Sequence, residues 1–364
     1  MKKFRLSNVV LFFILLISLS CSRGGNLKEF NLHDISKNED CKTIPLDSIV
    51  AGTEVIELDN SEDAPIIGAI TGLYESDSSF FIVSDKKSIY EYNKKGKYIR
   101  QLASQGRGPG EYLSVGGVSV NNDDRSIAVF DFPSQRILKY DKDGNHISSF
   151  KPKFEDTLLY LKSFFPYKDG LLFYSSNNSA RVDMFLFNQE DEIMEPVSRK
   201  DRNMLPEELI LGNLFIFGDK QGPYIYNYFN DTVFVVKNKK LIPAWLTRSG
   251  NLRIGYDELF MDRLGNLGRS VLNMRNVIQG GNIVFFMYSL SDNIERKRIP
   301  FLSLYNIQTN SYTQNVEIRD KKDSLLTIGR RDLMFQGNTI KDIIVIKGLP
   351  GSDKNQVIIK FKML

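Results

Sequence analysis

Short apolar runs separated by polar turns recur along almost the whole chain between residues 53 and 361. The runs are rich in β-branched and aromatic residues, and Asn, Asp, Gly and Lys stand between them. This pattern predicts β-strands joined by tight turns. The clearest runs read TEVIEL, FFIVSD, SIYEYN, SIAVFDF, QRILKYD, GLLFYS, DMFLFN, TVFVV, NIVFFMY, DIIVI and QVIIKF. Helical periodicity is scarce, so the sequence predicts an all-β fold.

The strands repeat with a regular period. The Tyr-Asn-Lys-Lys-Gly turn at 92–96 is followed 48 residues later by a similar Tyr-Asp-Lys-Asp-Gly turn at 140–144. Equivalent strand ends follow at Phe187 and Val236 and, after a longer insertion, at Tyr305. Periods of about 40 to 50 residues made of four short strands are typical of β-propeller blades. A sixth unit ends at the strand 357–361, so a six-bladed β-propeller is predicted.

The sixth unit has no fourth strand of its own, which would leave an unpaired sheet edge. The run at 53–58 precedes the first blade and has the composition of a strand. We therefore expect an N-terminal strand to complete the last blade and to close the ring. It follows that a chain beginning at residue 42 should keep its stability. A chain beginning after residue 60, or lacking 359–364, should lose it.

The first twenty residues have the pattern of an export signal, in which a basic start leads into an apolar run at 9–17 that is too short to span a bilayer. The residues before Cys21 are similar to a bacterial lipobox, the signal for cleavage before a cysteine that receives lipid. The usual order of the box is reversed at Ser18 and Leu19, and an ordinary cleaved signal is the alternative. We assign 1–20 to a lipoprotein signal peptide, 21–42 to a flexible tether and 43–364 to the propeller domain.

The charge of the chain is nearly balanced once the signal is removed. Three of the 48 Lys and Arg residues lie in the signal, which leaves 45 against 44 Asp and Glu. A nearly neutral chain of this kind lacks the excess of positive charge that nucleic-acid binding usually requires. If Cys21 is lipidated, Cys41 has no partner for a disulfide, so the fold must depend on its apolar core.

The glycine-rich stretch QGRGPGEY at 105–112 has two interpretations, a phosphate-binding loop or a structural turn. A phosphate-binding loop needs a following helix whose N–H groups point at the anion. Here the next residues, 115–120, have the pattern of a strand. We therefore expect a turn that carries the chain from one blade to the next, and we retain Arg107, Glu111 and Tyr112 as candidate ligand-binding residues.

Other chemical signals are sparse. The two histidines, His33 and His146, have no metal-ligand spacing, and no catalytic residue, metal or cofactor is predicted. Asp85 and Asp131 follow equivalent strands, and turn caps that bond local backbone amides are favoured over an acid/base pair. The aromatic residues at 224–229 alternate as in a half-buried strand, and a sugar-stacking platform is the alternative.

The sequence therefore favours a non-catalytic binding or scaffold propeller for a glycan, a peptide or a protein partner. The alternative is a lyase or hydrolase of sugars or uronides that uses carboxylates in the channel. A subunit that only packs against an outer-membrane complex is a third possibility.

Several segments together resemble the six-bladed β-propeller lipoproteins of Bacteroidetes. They are the strands at 55–58 and 66–70, the turn at 92–96, the GRGPGEY loop, the segment 228–234 and the closing segment 355–361. Arg107, where a Gln is common, and a long fifth blade depart from the family pattern. The resemblance implies the propeller fold and export as a lipoprotein, and it implies no particular chemistry.

The resemblance also gives two expectations about the exported protein. The segment 22–26 lacks an acidic run that marks surface display in these bacteria, so we expect an outer-membrane lipoprotein facing the periplasm, anchored through Cys21. Four Asp-Ser/Thr-apolar triplets are similar to O-glycosylation acceptors of such proteins. Ser48 and Ser324 are the favoured acceptors, because they lie near the tether and in a charged loop, whereas Thr232 opens a strand.

Overall fold

A computed structural model gives the fold of the chain. It describes residues 27–32, 40–121, 123–155, 157–167, 170–175, 182–188, 194–199, 214–218, 222–227, 232–253, 269–292, 297–336, 341–348 and 356–364. The predicted signal peptide, Cys21 and His33 lie outside these ranges.

Nearly all the described secondary structure is β. Three strands precede the first blade: β1 (Lys28–Asn31), β2 (Lys42–Pro45) and β3 (Val50–Glu57). Blade 1 contains β4 (Ile70–Glu75), β5 (Ser79–Ser84), β6 (Ser88–Asn93) and β7 (Tyr98–Gln101). Blade 2 contains β8 (Val115–Val120), β9 (Ile127–Asp131), β10 (Arg136–Tyr140) and β11 (His146–Phe150).

A short hairpin of β12 (Lys153–Phe154) and β13 (Thr157–Leu158) leads into the second half of the ring. Blade 3 contains β14 (Leu161–Tyr167), β15 (Gly170–Ser175), β16 (Val182–Asn188) and β17 (Met194–Arg199). Blade 4 contains β18 (Leu214–Phe217), β19 (Tyr224–Asn227), β20 (Thr232–Lys237) and β21 (Lys240–Arg248).

Blade 5 contains β22 (Ser270–Gly280), β23 (Ile283–Asp292), β24 (Lys297–Asn306) and β25 (Ser311–Thr313). After β26 (Val316–Arg319), blade 6 contains β27 (Leu333–Gln336), β28 (Asp342–Gly348) and β29 (Gln356–Met363), with β3 as its fourth strand. The first strand of each blade contacts the first strands of its neighbours, so these six strands form the inner ring. The predicted six-bladed propeller is confirmed.

Burial along the strands follows from their place in the ring. All six residues of β5 and all five of β9 are buried, because each middle strand is covered by a neighbouring blade on both faces. The outer strand β11 instead alternates between half-buried and exposed residues. The buried apolar side chains form six clusters, and each cluster lies between two adjacent blades. The core is therefore a ring of interfaces, which is why every blade needs both neighbours.

The N-terminal closing strand is also confirmed. β3 pairs antiparallel with β29, with Ile56 opposite Ile358 and Glu54 opposite Lys360. Ile56 and Ile358 are both buried in the cluster between blades 6 and 1. The two ends of the propeller domain are thus joined by one strand ladder.

The segment 21–42 contains more structure than the flexible tether predicted for it. β1 pairs in parallel with the outer strand of blade 4, with Lys28 opposite Trp245 and Asn31 opposite Arg248. The carboxylate of Glu29 accepts two hydrogen bonds from Arg248, and Leu32 is fully buried between blades 4 and 5. The polar composition of this stretch concealed one apolar residue that packs into the core.

Candidate functional site

The propeller has two faces, which differ in the connections that they carry. The loop face carries the links between blades and the turns from the second to the third strand of each blade, for example 85–87, 102–114, 132–135 and 151–160. The turn face carries the other connections, for example 76–78, 94–97, 121–126, 141–145 and 238–239.

The glycine-rich loop is a structural turn on the loop face. Gly110 adopts a φ of +72°, and its carbonyl accepts a hydrogen bond of 2.9 Å from the Tyr140 hydroxyl of blade 2. The Glu111 carbonyl accepts another, of 3.1 Å, from the Arg136 guanidinium. A strand follows the loop rather than a helix. These contacts fix the chain as it crosses from blade 1 to blade 2.

The three candidate ligand residues of this loop have different surroundings. Tyr112 is fully buried between blades 1 and 2, and this burial raises the pKa of its hydroxyl to about 12. The Glu111 carboxylate accepts a hydrogen bond of 2.7 Å from the Gly108 N–H. Tyr112 is therefore part of the core, and the Glu111 carboxylate bonds the backbone of its own loop. Arg107 is the exposed member of the three.

The two equivalent aspartates are turn caps, as the sequence suggests. One oxygen of the buried Asp131 accepts hydrogen bonds from the Leu113 and Ser114 N–H groups, at 3.0 and 3.1 Å, and thereby holds the start of β8. Asp85 accepts a hydrogen bond of 3.0 Å from the Ala69 N–H just before β4. Both carboxylates bond the backbone that leads into an inner strand, so neither is placed as half of an acid/base pair.

The inner strands supply few groups for chemistry. Within the described bounds of these six strands, the only acidic residue is Glu75 at the end of β4. Its carboxylate is almost fully buried and lies 2.6 Å from the Lys94 ammonium and 2.7 Å from that of Lys360. This cluster lines a cleft of about 310 Å³ on the turn face, between blades 6 and 1. Glu75 thus joins the two blades that the closing strand brings together.

The histidine and tyrosine candidates lie in packed positions. His146 is half-buried, and its ring makes an edge contact with Tyr140 at a centroid distance of 5.9 Å. Tyr226 is fully buried, and Tyr224 packs against Trp245 at 4.5 Å. Half-buried strand packing therefore accounts for the described part of the 224–229 cluster; residues 228 and 229 lie outside the described ranges.

An aromatic pair with a lysine stands at the rim of the inner ring on the loop face. Tyr160 comes just before β14 and is 42% exposed. Its ring meets that of Phe132 from blade 2 edge to face, at a centroid distance of 6.2 Å. The Lys162 ammonium lies 4.4 Å from the centre of the Tyr160 ring and 5.4 Å from that of Phe132. We call these three residues the aromatic–lysine site.

The surrounding backbone and core hold this site in place. The Gln135 side chain bonds both the N–H and the carbonyl of Leu161, and the Ser175 hydroxyl donates to the Tyr160 carbonyl at 3.2 Å. Behind the site, the Phe164 ring packs so closely on β8 that a Cβ at Gly117 would lie 2.3 Å from it. The site is therefore fixed by two blades before any ligand arrives.

No motif in the sequence indicates this site. Phe132 comes from the turn after β9, whereas Tyr160 and Lys162 lie just before and within β14, almost 30 residues later in the chain. The local sequence around Tyr160 is apolar and reads as an ordinary strand start. The only available signal was a lysine among aromatic residues in the inner strand β14.

Two further features are absent from the described residues. No group of three or more His, Cys, Asp or Glu side chains there is arranged to hold a metal ion. No helix in this part of the chain is long and apolar enough to cross a membrane.

The comparisons with known proteins agree with the fold. The family described as "Domain of unknown function (DUF4934)" has a model that matches residues 28–341. Among solved structures, the chain is similar to a "Putative exported protein" of Bacteroides fragilis NCTC 9343, with a TM-score of 0.62 and 15% identity over 93% of this chain and 99% of that one. It is also similar to a member of the duf4221 family from Bacteroides vulgatus ATCC 8482, with a TM-score of 0.54 and 10% identity over 86% and 97% of the two chains. A comparison with curated proteins finds no match.

Proposed function

The chain belongs to the DUF4934 family, and we propose that it is a non-catalytic binding propeller that holds a glycan at the aromatic–lysine site. The observation that carries this proposal is the exposed Tyr160 ring, fixed beside Phe132 and Lys162 at the rim of the loop face. An immobilised aromatic ring with a polar hydroxyl offers a flat apolar surface for stacking and a hydrogen-bonding group at its edge. Little entropy is lost on binding, because the site is already ordered.

The surroundings of the inner ring support binding over the enzymatic alternative. A glycosidase of the usual kind needs two carboxyl groups on either side of the scissile bond. The inner strands contribute Glu75, which is buried between two lysines on the opposite face from the site. Asp85 and Asp131 are engaged with backbone N–H groups. This distribution of carboxylates supports recognition without cleavage.

Export as an outer-membrane lipoprotein facing the periplasm is the second part of the proposal. It is supported by the signal pattern before Cys21 and by the similarity to a structure described as a putative exported protein.

Ser48 and Ser324 are both exposed, and we retain them as O-glycosylation acceptors. The intact mass of the protein from its native host tests these modifications. A measured mass equal to that of the lipidated chain without glycans would contradict the proposed glycosylation.

The binding function is tested with the purified chain on a panel of neutral and acidic oligosaccharides. We expect micromolar to millimolar binding that Tyr160→Ala weakens about tenfold, a loss of about 1.4 kcal/mol. Ile147→Ala is the matched control, because Ile147 is 59% exposed on the outer strand of blade 2. Mass spectrometry of the bound glycan should show an unchanged chain length. Failure to bind any glycan, or release of shorter products, would overturn the proposal.

A further inference from the structure

We infer that the glycan is acidic, that Lys162 receives its carboxylate, and that Gln135 is the positioning residue of the site. This inference rests on the proposed binding function and specifies its ligand. It is carried by the surroundings of Lys162 and by the side-chain hydrogen bonds of Gln135.

Lys162 is a half-buried cation whose described contacts are aromatic. Its ammonium lies over the Tyr160 and Phe132 rings, and no acidic side chain among the described residues forms an ion pair with it. Burial lowers the pKa of the Lys162 ammonium from its ordinary value of 10.5, because the charged form has lost part of its hydration. Ring faces compensate only part of the lost hydration of a cation. A carboxylate from a ligand would supply the missing opposite charge.

Gln135 occupies a strained position that its contacts explain. Its φ of +54° lies in the left-handed region, which residues other than glycine rarely adopt. In this conformation the side-chain amide donates 2.7 Å to the Phe132 carbonyl and 3.2 Å to the Leu161 carbonyl, and its oxygen accepts from the Leu161 N–H at 2.6 Å. One side chain therefore links the backbone at Phe132 to the backbone beside Tyr160. Nine other described residues besides glycines also have a positive φ, so it is the three hydrogen bonds of Gln135 that distinguish this position.

The size of the site favours a saccharide over a protein or a peptide. A stable protein interface buries about 800 Å² on each partner, with a central apolar cluster. Among the described residues, the exposed large apolar side chains on this part of the loop face are Tyr160 and Leu158. One ring face with one adjacent cation matches one sugar ring that carries a carboxylate.

Calorimetry with a uronic acid trisaccharide and its neutral parent tests the ligand class. We expect the acidic sugar to bind about ten times more tightly, and we expect this preference to fall as salt is raised. Lys162→Met should abolish the preference but keep the binding of the neutral sugar, whereas Lys162→Arg should retain the preference. Thermal melting of both variants shows that they are folded.

A second set of variants tests the role of Gln135. Gln135→Gly accepts the positive φ without strain but removes all three side-chain hydrogen bonds. We expect it to weaken both sugars equally, about five- to tenfold, and to have no further effect on binding in a Tyr160→Ala background. If the role of Gln135 is purely structural, Gln135→Gly should lower the melting temperature in both the wild-type and the Tyr160→Ala backgrounds. Its effect on sugar binding should then not depend on Tyr160.

The outcomes separate this inference from the proposed function. Equal affinity for the two sugars, an unchanged preference in Lys162→Met, or tighter binding of a poly-glutamate peptide than of any saccharide overturns the acidic-sugar assignment. Additive effects of Gln135→Gly and Tyr160→Ala on binding overturn the positioning role. Absence of binding to every saccharide contradicts the proposed function itself.

Discussion

Single carboxylates at the ends of second strands determine how the inner strand of the same blade begins. Asp131 is completely buried, and it also contacts the Ser134 hydroxyl and the Arg136 guanidinium. Asp85 occupies the equivalent place in blade 1 but is exposed. The two aspartates therefore make the same kind of contact but should contribute different amounts to the free energy of unfolding.

We predict that Asp131→Asn destabilises the protein by about 2 kcal/mol. The amide oxygen can still accept from the two backbone N–H groups, but the half-buried Arg136 guanidinium loses its anionic partner and faces an NH2 donor instead. The equivalent change Asp85→Asn should cost less than about 1 kcal/mol, since water can replace its exposed contacts. Urea unfolding of the two variants beside the wild type measures the difference. Equal losses of unfolding free energy in the two variants would show that burial does not determine how much each aspartate contributes to stability.

The roles of these aspartates could be predicted from sequence, whereas the aromatic–lysine site could not. Asp85 and Asp131 follow similar strands at a regular spacing, and a carboxylate at such a place bonds local amides. The site depends instead on the contact between Phe132 and Tyr160, which belong to different blades. No local pattern shows how one blade is rotated against the next.

At the scale of strands, the seam between blades 6 and 1 combines a ladder with an ion-pair cluster. β3 and β29 form the ladder, and the Lys360 ammonium on β29 lies 2.7 Å from Glu75 on β4. Burial alone would lower the pKa of Lys360, but its hydrogen bond to Glu75 and the charges of Glu75 and Asp342 raise it above 10.5. The charged form of Lys360 is therefore favoured in the folded state.

We predict that the Lys360 contribution to stability depends on pH in the alkaline range. Since the folded-state pKa is raised, the contribution is fully present below about pH 10.5 and is lost as the pH rises through the folded value. The free energy of unfolding of the wild type and of Lys360→Met, measured from pH 7 to pH 12, should differ by a constant amount at low pH and converge above pH 10.5. A difference that grows with pH would contradict this assignment.

Truncation separates the contributions of the N-terminal strands. The sequence led to the expectation that a chain beginning near residue 42 keeps its stability, and the structure revises it. A chain from residue 40 lacks β1 and the fully buried Leu32, and the lost burial alone costs about 2–3 kcal/mol relative to a chain from residue 27.

A chain from residue 60 also lacks β3, which exposes the edge of β29. It should give no cooperative melting transition and should aggregate. Circular dichroism melting of the three chains measures both steps. Equal melting temperatures for the chains from residues 27 and 40 would show that β1 does not stabilise blade 4.

At the scale of the whole molecule, the ring could be predicted because its repeat is visible in the sequence. The turns at 92–96 and 140–144 are similar, and the third strands of blades 1 to 5 end in an aromatic residue or Val before a polar turn. The course of the N-terminal segment has no such repeat. Its pairing with blade 4 depends on a four-residue strand and on Leu32, and a polar context conceals both.

The direction of β1 predicts how the propeller is oriented on a membrane. β1 runs parallel to β21, which leads from the turn face to the loop face, so Lys28 is the end of β1 that lies nearer the turn face. With lipid on Cys21, the seven steps to Lys28 span at most about 25 Å. Lys237 and Lys240 are exposed on either side of the neighbouring turn and favour an anionic lipid surface, whereas Lys239 between them pairs with Glu195.

We therefore predict that the turn face lies against the bilayer and that the aromatic–lysine site faces away from it. Lys240→Cys and Arg107→Cys place single fluorophores on the turn face and the loop face, in a Cys41→Ser background that removes the exposed native thiol. Energy transfer from each label to an acceptor on the lipid headgroups of vesicles carrying the lipidated protein reports its distance. The label at 240 should transfer more efficiently than the label at 107, and Cys21→Ala should abolish transfer from both because the unlipidated chain stays in solution. Equal transfer from the two labels would mean that β1 does not orient the ring, and stronger transfer from 107 would place the binding site against the membrane.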